Sequence, residues 1–198
     1  MAHEIQFVLY AIRKNIQSSA ELRSSFFMNI VGMAINNTAF IILWIFFVQS
    51  VGLIGGWTAI DIIGLQGFSA LSYGIVNSVA IGIRKIPEYA ASGTFDRFML
   101  SPKNLLMRIA TSTFSASAVG DVVFGIVCLV IYGILLHISL YQALMIIALV
   151  ITGAVVFLAL SITIFSFSFF FMDSSAVTNG FLELFITPML FHGGAFQG

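Results

Sequence analysis

The sequence predicts an all-α, polytopic helical membrane protein, and three observations carry that prediction. Of 198 residues, 60% are hydrophobic and only 8% are charged, whereas a water-facing domain carries about 25% charged side chains. Mean hydropathy is +1.07. The charges cluster, leaving long apolar runs of at least the ~20 residues that a helix needs to cross a ~30 Å hydrocarbon core. These runs lack the two-residue alternation of barrel strands. A formal net charge of +0 without a dense basic patch excludes nucleic acid as a partner. The single cysteine, Cys128, cannot form an internal disulfide, and no Cys/His spacing has the form of a metal site.

Residues 1–25 read as a cytoplasmic interfacial helix. Ile5, Val8, Leu9, Ile12 and Ile16 share one helical face, while Glu4, Arg13, Lys14 and Gln17 fall elsewhere. That is the pattern of a helix lying on a membrane surface; a lead-in helix packed on the spans is the other reading. Polar residues interleave throughout, unlike the apolar core of a signal peptide. Residues 26–198 form a single transmembrane domain with about five spans. These are expected at 26–48, 62–83, about 109–136, 141–172, and from about 176. The third contains Asp121; the fifth contains Glu183 and meets Pro188.

Orientation follows from the cations. Arg13, Lys14 and Arg23 precede the first span, and Arg84, Lys85, Arg97, Lys103 and Arg108 lie between or beside the second and third. Connections 49–60 and 137–140 carry no Lys or Arg. The positive-inside rule then makes the N-terminus cytoplasmic, and the connection at Asp173 is cytoplasmic by parity. Ala70, Gly74, Ser78 and Gly82 recur every four residues in the second span, as do Ser112, Ala116 and Gly120 in the third. Such stripes let helices approach closely within the bundle. No repeat of the span pattern supports an inverted-repeat transporter.

Other residues read plainly. Trp44 and Trp57 flank the outer end of the first hairpin, as an aromatic belt would. His3, His137 and His192 lie far apart near span boundaries, which favours interfacial placement over metal binding. The Phe run over 166–171 is lipid-facing or core packing, and Cys128 is a small apolar residue.

Residues 84–104, RKIPEYAASGTFDRFMLSPKN, are too polar for lipid and too patterned for a passive turn. Pro87 suits the first turn of a helix. Gly93 would end that turn, and Pro102 would halt a second short helix built on Phe95, Phe98, Met99 and Leu100. A compact cytoplasmic elbow results; an amphipathic loop resting on the membrane is the alternative.

Within this segment Glu88, Gly93, Asp96, Met99, Leu100 and Pro102 form a pattern that resembles the first cytoplasmic loop of type-2 ABC exporter permeases. These are the integral-membrane subunits of bacterial ATP-driven exporters. The preceding GGWTAID, where Thr58 and Asp61 can cap the second span, is similar to the family's approach to that span. The Gly120–Asp121 step is similar too. The resemblance covers essentially the whole chain. Such permeases have six spans and this chain stops after the fifth, which implies a missing C-terminal part.

The resemblance implies that the elbow is a coupling helix, with Glu88, Gly93, Asp96, Arg97, Leu100 and Pro102 as its coupling residues. It would dock on a separate cytoplasmic ATP-binding subunit, present in two copies that hold the ATP and Mg. A second permease subunit, identical or homologous, would complete the assembly in the inner (plasma) membrane. No catalytic residue, cofactor or metal is expected on this chain. The sequence agrees on one independent point: no G-x-x-x-x-G-K-[ST] phosphate loop is present, and none of Lys14, Lys85 and Lys103 follows a glycine.

Asp121 and Glu183 are the acids well inside expected spans, with Asn36, Asn37 and Thr38 adding a polar cluster in the first. An acid at the bilayer centre costs roughly 2.5 kcal/mol or more on insertion scales. Asn36, Asn37, Asp121 and Glu183 therefore line a translocation path or join helices, and both readings stay open. Thr178, Asn179 and Thr187 make the fifth span less apolar than its neighbours. Three functions compete: an ABC exporter permease, a gradient-driven transporter or channel, and an intramembrane enzyme. No H-E-x-x-H, G-x-S-x-G or clustered acid–base pair supports the last.

Overall fold

Thr58 and Asp61 start the second span as the sequence suggested. The Thr58 N–H donates to Asp61 Oδ2 over 2.9 Å, and the Asp61 N–H reaches back to Thr58 Oγ1 at 3.5 Å, a reciprocal capping box. The computed structural model describes residues 2–51, 58–100, 102–170 and 175–189, which form helices and connections with no strand among them. The helices are α1 (Ala2–Glu21), α2 (Arg23–Val51), α3 (Ala59–Ala80), α4 (Ile86–Ala91), α5 (Phe95–Met99), α6 (Leu105–Ala110), α7 (Ala116–Leu135), α8 (Leu140–Ser166) and α9 (Ser175–Met189). A 3-10 turn over Ile81–Lys85 joins α3 to α4, and another over Phe167–Phe169 ends α8. Among the described residues, four helical segments are long and apolar enough to span: Arg23–Phe46, Ala59–Ala91, Ala116–Leu135 and Leu140–Phe169. The fifth expected span corresponds to α9, of which 15 residues are described. Trp57, Asp173 and His192 lie outside the described residues, as do the end of the chain beyond Met189 and the side chain of His3.

The third span starts later than expected. Thr111, Ser112, Thr113 and Ser115 are weak helix formers, and the helix is interrupted across them. The Thr111 hydroxyl donates to the Met107 carbonyl at 2.9 Å, α6 stops at Ala110, and α7 begins only at Ala116. The Thr111 carbonyl accepts from Asn15 Nδ2 of α1 at 2.9 Å. With Glu4 accepting from the Asn104 N–H and the Lys103 ammonium 5.8 Å from the Phe7 ring, this docks α1 along α6, at the residues that flank both of its ends. Leu9 and Ile16, on the predicted apolar face, stay exposed.

The far ends of α7 and α8 are shaped by different devices. His137 takes a left-handed conformation with φ 49°. The Ile138 N–H bonds to Gly133 O at 3.1 Å and the His137 N–H to Ile134 O at 3.3 Å, a Schellman closure. Ser139 and Gln142 then form a second capping box, opening α8.

The bundle centres on α3 and α7, which pack most extensively on one another; α2 adds to α7 and α8 to α3. The expected four-residue stripes are only partly the seam. A Cβ on Gly67 would sit 2.8 Å from Cys128 Cβ, one on Gly74 2.8 Å from Val122 N, and one on Gly125 2.6 Å from Leu71 N. Ser112 lies outside α7, and Gly120 faces α2, not α3. At Gly82 a Cβ would collide with the Ile109 carbonyl, so the 3-10 turn passes against α6 backbone to backbone. Trp44 is another correction: at 5% exposed it packs on Ile62 with Phe40 between α2 and α3. Its indole is engaged in helix packing rather than in a headgroup belt. Of the Phe run, Phe167, Phe169 and Phe170 are exposed, and Phe169 packs edge-on to Phe95 with centroids 4.9 Å apart.

Candidate functional site

Gly120 and Asp121 act as a pair. With no side chain at 120, the α2 backbone at Ile30 comes so near that a Cβ there would lie 2.8 Å from its carbonyl. That approach brings Asn37 Nδ2 to 2.7 Å from Asp121 Oδ1. Asp121 is 3% exposed and lines a cavity of about 240 Å³ between α2, α3, α7, α8 and α9. Asn36, Asn37, Gln66, Ser69 and Tyr73 supply the remaining polar lining; Met33, Phe40, Ala70, Phe157 and Ile186 supply the apolar part. A larger open groove at the α1–α2 bend, around Leu22, Arg23 and Met28, contains none of the expected site residues.

The structure therefore brings Asn36, Asn37 and Asp121 to one cavity. Glu183 is not there: it is exposed on α9, beside the buried Leu182. Sequence reasoning missed Gln66, Ser69 and Tyr73, although they fall at i, i+3 and i+7, the spacing of one helical face. It also missed the role of Arg84. From the 3-10 turn, Arg84 Nη1 donates to the Tyr73 hydroxyl at 3.1 Å and Nη2 to Asn179 Oδ1 at 3.2 Å. One guanidinium thus joins the cavity wall, the last described helix and the chain entering the elbow. Tyr73 is further held by its edge-on contact with Phe157, centroids 5.9 Å apart.

The elbow has an anchored underside and an open tip. Ile86 and Pro87 are buried, Ile86 in a cluster with Ile83, Ile109, Ile164, Phe165 and Leu182. Tyr89 hydrogen-bonds Ser112 through their hydroxyls at 3.0 Å and packs on Phe98. Gly93, with φ 68°, makes the reversal between α4 and α5 in a region that favours glycine. Arg108 Nη1 donates to the carbonyls of Arg97 and Phe98, each at 3.1 Å, and its guanidinium lies 5.3 Å from the Phe98 ring centre. A cation on the last carbonyls of a helix complements its dipole. Facing outward are Glu88, in an exposed 2.7 Å ion pair with Lys85, and Asp96, Arg97, Met99 and Leu100. Leu100 is 86% exposed. Pro102 is exposed just beyond. Among the described residues no group of His, Cys, Asp and Glu comes together as metal ligands would.

The sequence profile of a family described as ABC-2 family transporter protein matches residues 34–197. No curated protein and no solved structure matches the chain. The matched region contains the elbow and all of the cavity lining but Met33.

Proposed function

Because the chain belongs to the ABC-2 family of transporter proteins, and so is a multi-pass membrane protein of the permease type, we propose that it is the permease subunit of an ATP-driven exporter. The cavity is part of its translocation route. The elbow receives motion from a cytoplasmic ATP-binding subunit, two copies of which hold the ATP and Mg. A second permease, identical or homologous, completes the path across the inner membrane, with the N-terminus cytoplasmic. The observation that supports this reading most is Arg84, which links Tyr73 in the cavity wall to Asn179 in α9 from a point two residues before α4. Displacing α4 displaces Arg84, and with it both helices.

Glu88, Asp96, Arg97, Met99 and Leu100 present an exposed mixed surface of the kind a partner groove accepts. Gly93 and Pro102 set the turns that hold it in shape. A gradient-driven transporter is the second reading, supported by the buried carboxylate of Asp121. The test is reconstitution with a cytoplasmic ATP-binding subunit from the same cell. Wild-type permease should raise ATP hydrolysis in step with export, and Asp96→Lys or Gly93→Pro should uncouple the two. Unimpaired coupling in both variants removes the elbow from the mechanism. Flux that follows a proton gradient or membrane potential without ATP selects the second reading.

A further inference from the structure

Resting on the reading of the cavity as part of the transport route, we propose that it binds a small organic ammonium ion that bears N–H groups, with Asp121 as its counter-ion. Asp121 is 3% exposed and accepts a hydrogen bond from Asn37. An ionised carboxylate has room for several more donors. Among the described residues, the Arg84 guanidinium is committed to Tyr73 and Asn179, and the Lys85–Glu88 pair sits on the elbow. Among the described residues no ion pair reaches Asp121. A charge held at such depth normally has a partner of opposite sign or a polar cavity, and a ligand cation in the cavity would provide the first.

The walls narrow the class. Phe40, Tyr73 and Phe157 line the same space, and aromatic faces attract ammonium groups. Asn36, Gln66 and Ser69 add oxygens that accept N–H donors. A bare divalent metal ion gathers six or more oxygens, commonly from more than one carboxylate, whereas Asp121 is the one carboxylate among the lining residues, beside the apolar Met33, Phe40, Phe157 and Ile186. A quaternary ammonium has no N–H to satisfy the acceptors. The volume of about 240 Å³ lies below the roughly 300–1,000 Å³ usual for ligand pockets, so the ligand is small.

Titration calorimetry on the full chain in lipid nanodiscs tests this, with 2-phenylethylammonium as the probe. Neutral 2-phenylethanol, the trimethylated ammonium, NaCl and KCl serve as comparators. The primary ammonium should bind at least tenfold more tightly than either organic comparator, equivalent to about 1.4 kcal/mol. Asp121→Asn, which keeps the shape and an oxygen for Asn37, should remove that preference. Equal binding of alcohol and ammonium by the wild-type chain overturns the proposal whether or not the variant folds. So does undiminished ammonium binding by Asp121→Asn, equal binding of the trimethylated probe, or Asp121-dependent binding of sodium or potassium in its place. The measurement needs no ATPase. A chain that binds the ammonium but couples to no ATPase keeps this site and loses the exporter reading; an ATP-coupled chain blind to the ammonium does the reverse.

Discussion

His137 closes α7 in a conformation that L-residues adopt at a cost, with φ 49°. The left-handed region costs an L side chain on the order of 1 kcal/mol or more, while glycine occupies it freely but loses more chain entropy on folding. His137→Gly should therefore stabilise the protein by up to about 1 kcal/mol in denaturant titration in detergent. A clear loss would mean that the imidazole contributes more than the backbone costs. Deeper in the bundle, Asn37 and Asp121 invite a double-mutant cycle. Polar side-chain pairs between membrane helices average about 0.6 kcal/mol and reach about 1.7. At 2.7 Å with a buried carboxylate, this pair should fall in the upper half of that range. A coupling energy indistinguishable from zero would show that the bond does not hold α2 to α7. Both residues were legible in the sequence as polar groups inside apolar runs. Their pairing was not, because 84 residues separate them and the close approach depends on Gly120.

The elbow was legible because its punctuation is local. Pro87, Gly93 and Pro102 impose their turns through their own backbones, and α4 and α5 fall where those residues allow. The start of the third span was not, since hydropathy averages over Thr111 to Ser115, where a run of weak helix formers interrupts the helix. Arg84 was unreadable for a third reason: its partners lie 11 and 95 residues away. An element with a buried underside and an exposed tip also makes a separable prediction. Met99 is 62% exposed and Leu100 86%, so Met99→Ser with Leu100→Ser should change stability by no more than about 0.5 kcal/mol per residue, as surface substitutions do. The same double variant should lose most of the ATPase recovered by co-purification. Retained ATPase would place the docking surface elsewhere on the permease.

For the molecule as a whole, the α3–α7 seam ties stability and topology to one residue. Cys128 is 4% exposed, pressed against Gly67 where a Cβ would lie 2.8 Å from its own. As the single cysteine of the chain, buried at this seam, it should stay silent to a membrane-impermeant maleimide while the bundle is folded. New cysteines can then be read on an otherwise native background. Ser92 is exposed on the elbow, and Tyr141, 66% exposed, sits at the opposite end of the bundle on the first turn of α8. The positive-inside rule would put every cation on the cytoplasmic side; on that orientation Tyr141→Cys should label in intact cells and Ser92→Cys only after the membrane is opened. The reverse pattern would put the elbow outside, beyond reach of any cytoplasmic ATPase. Labelling of unmodified Cys128 in intact cells would mean that α3 and α7 part in the membrane, and the cavity they help to enclose would open with them.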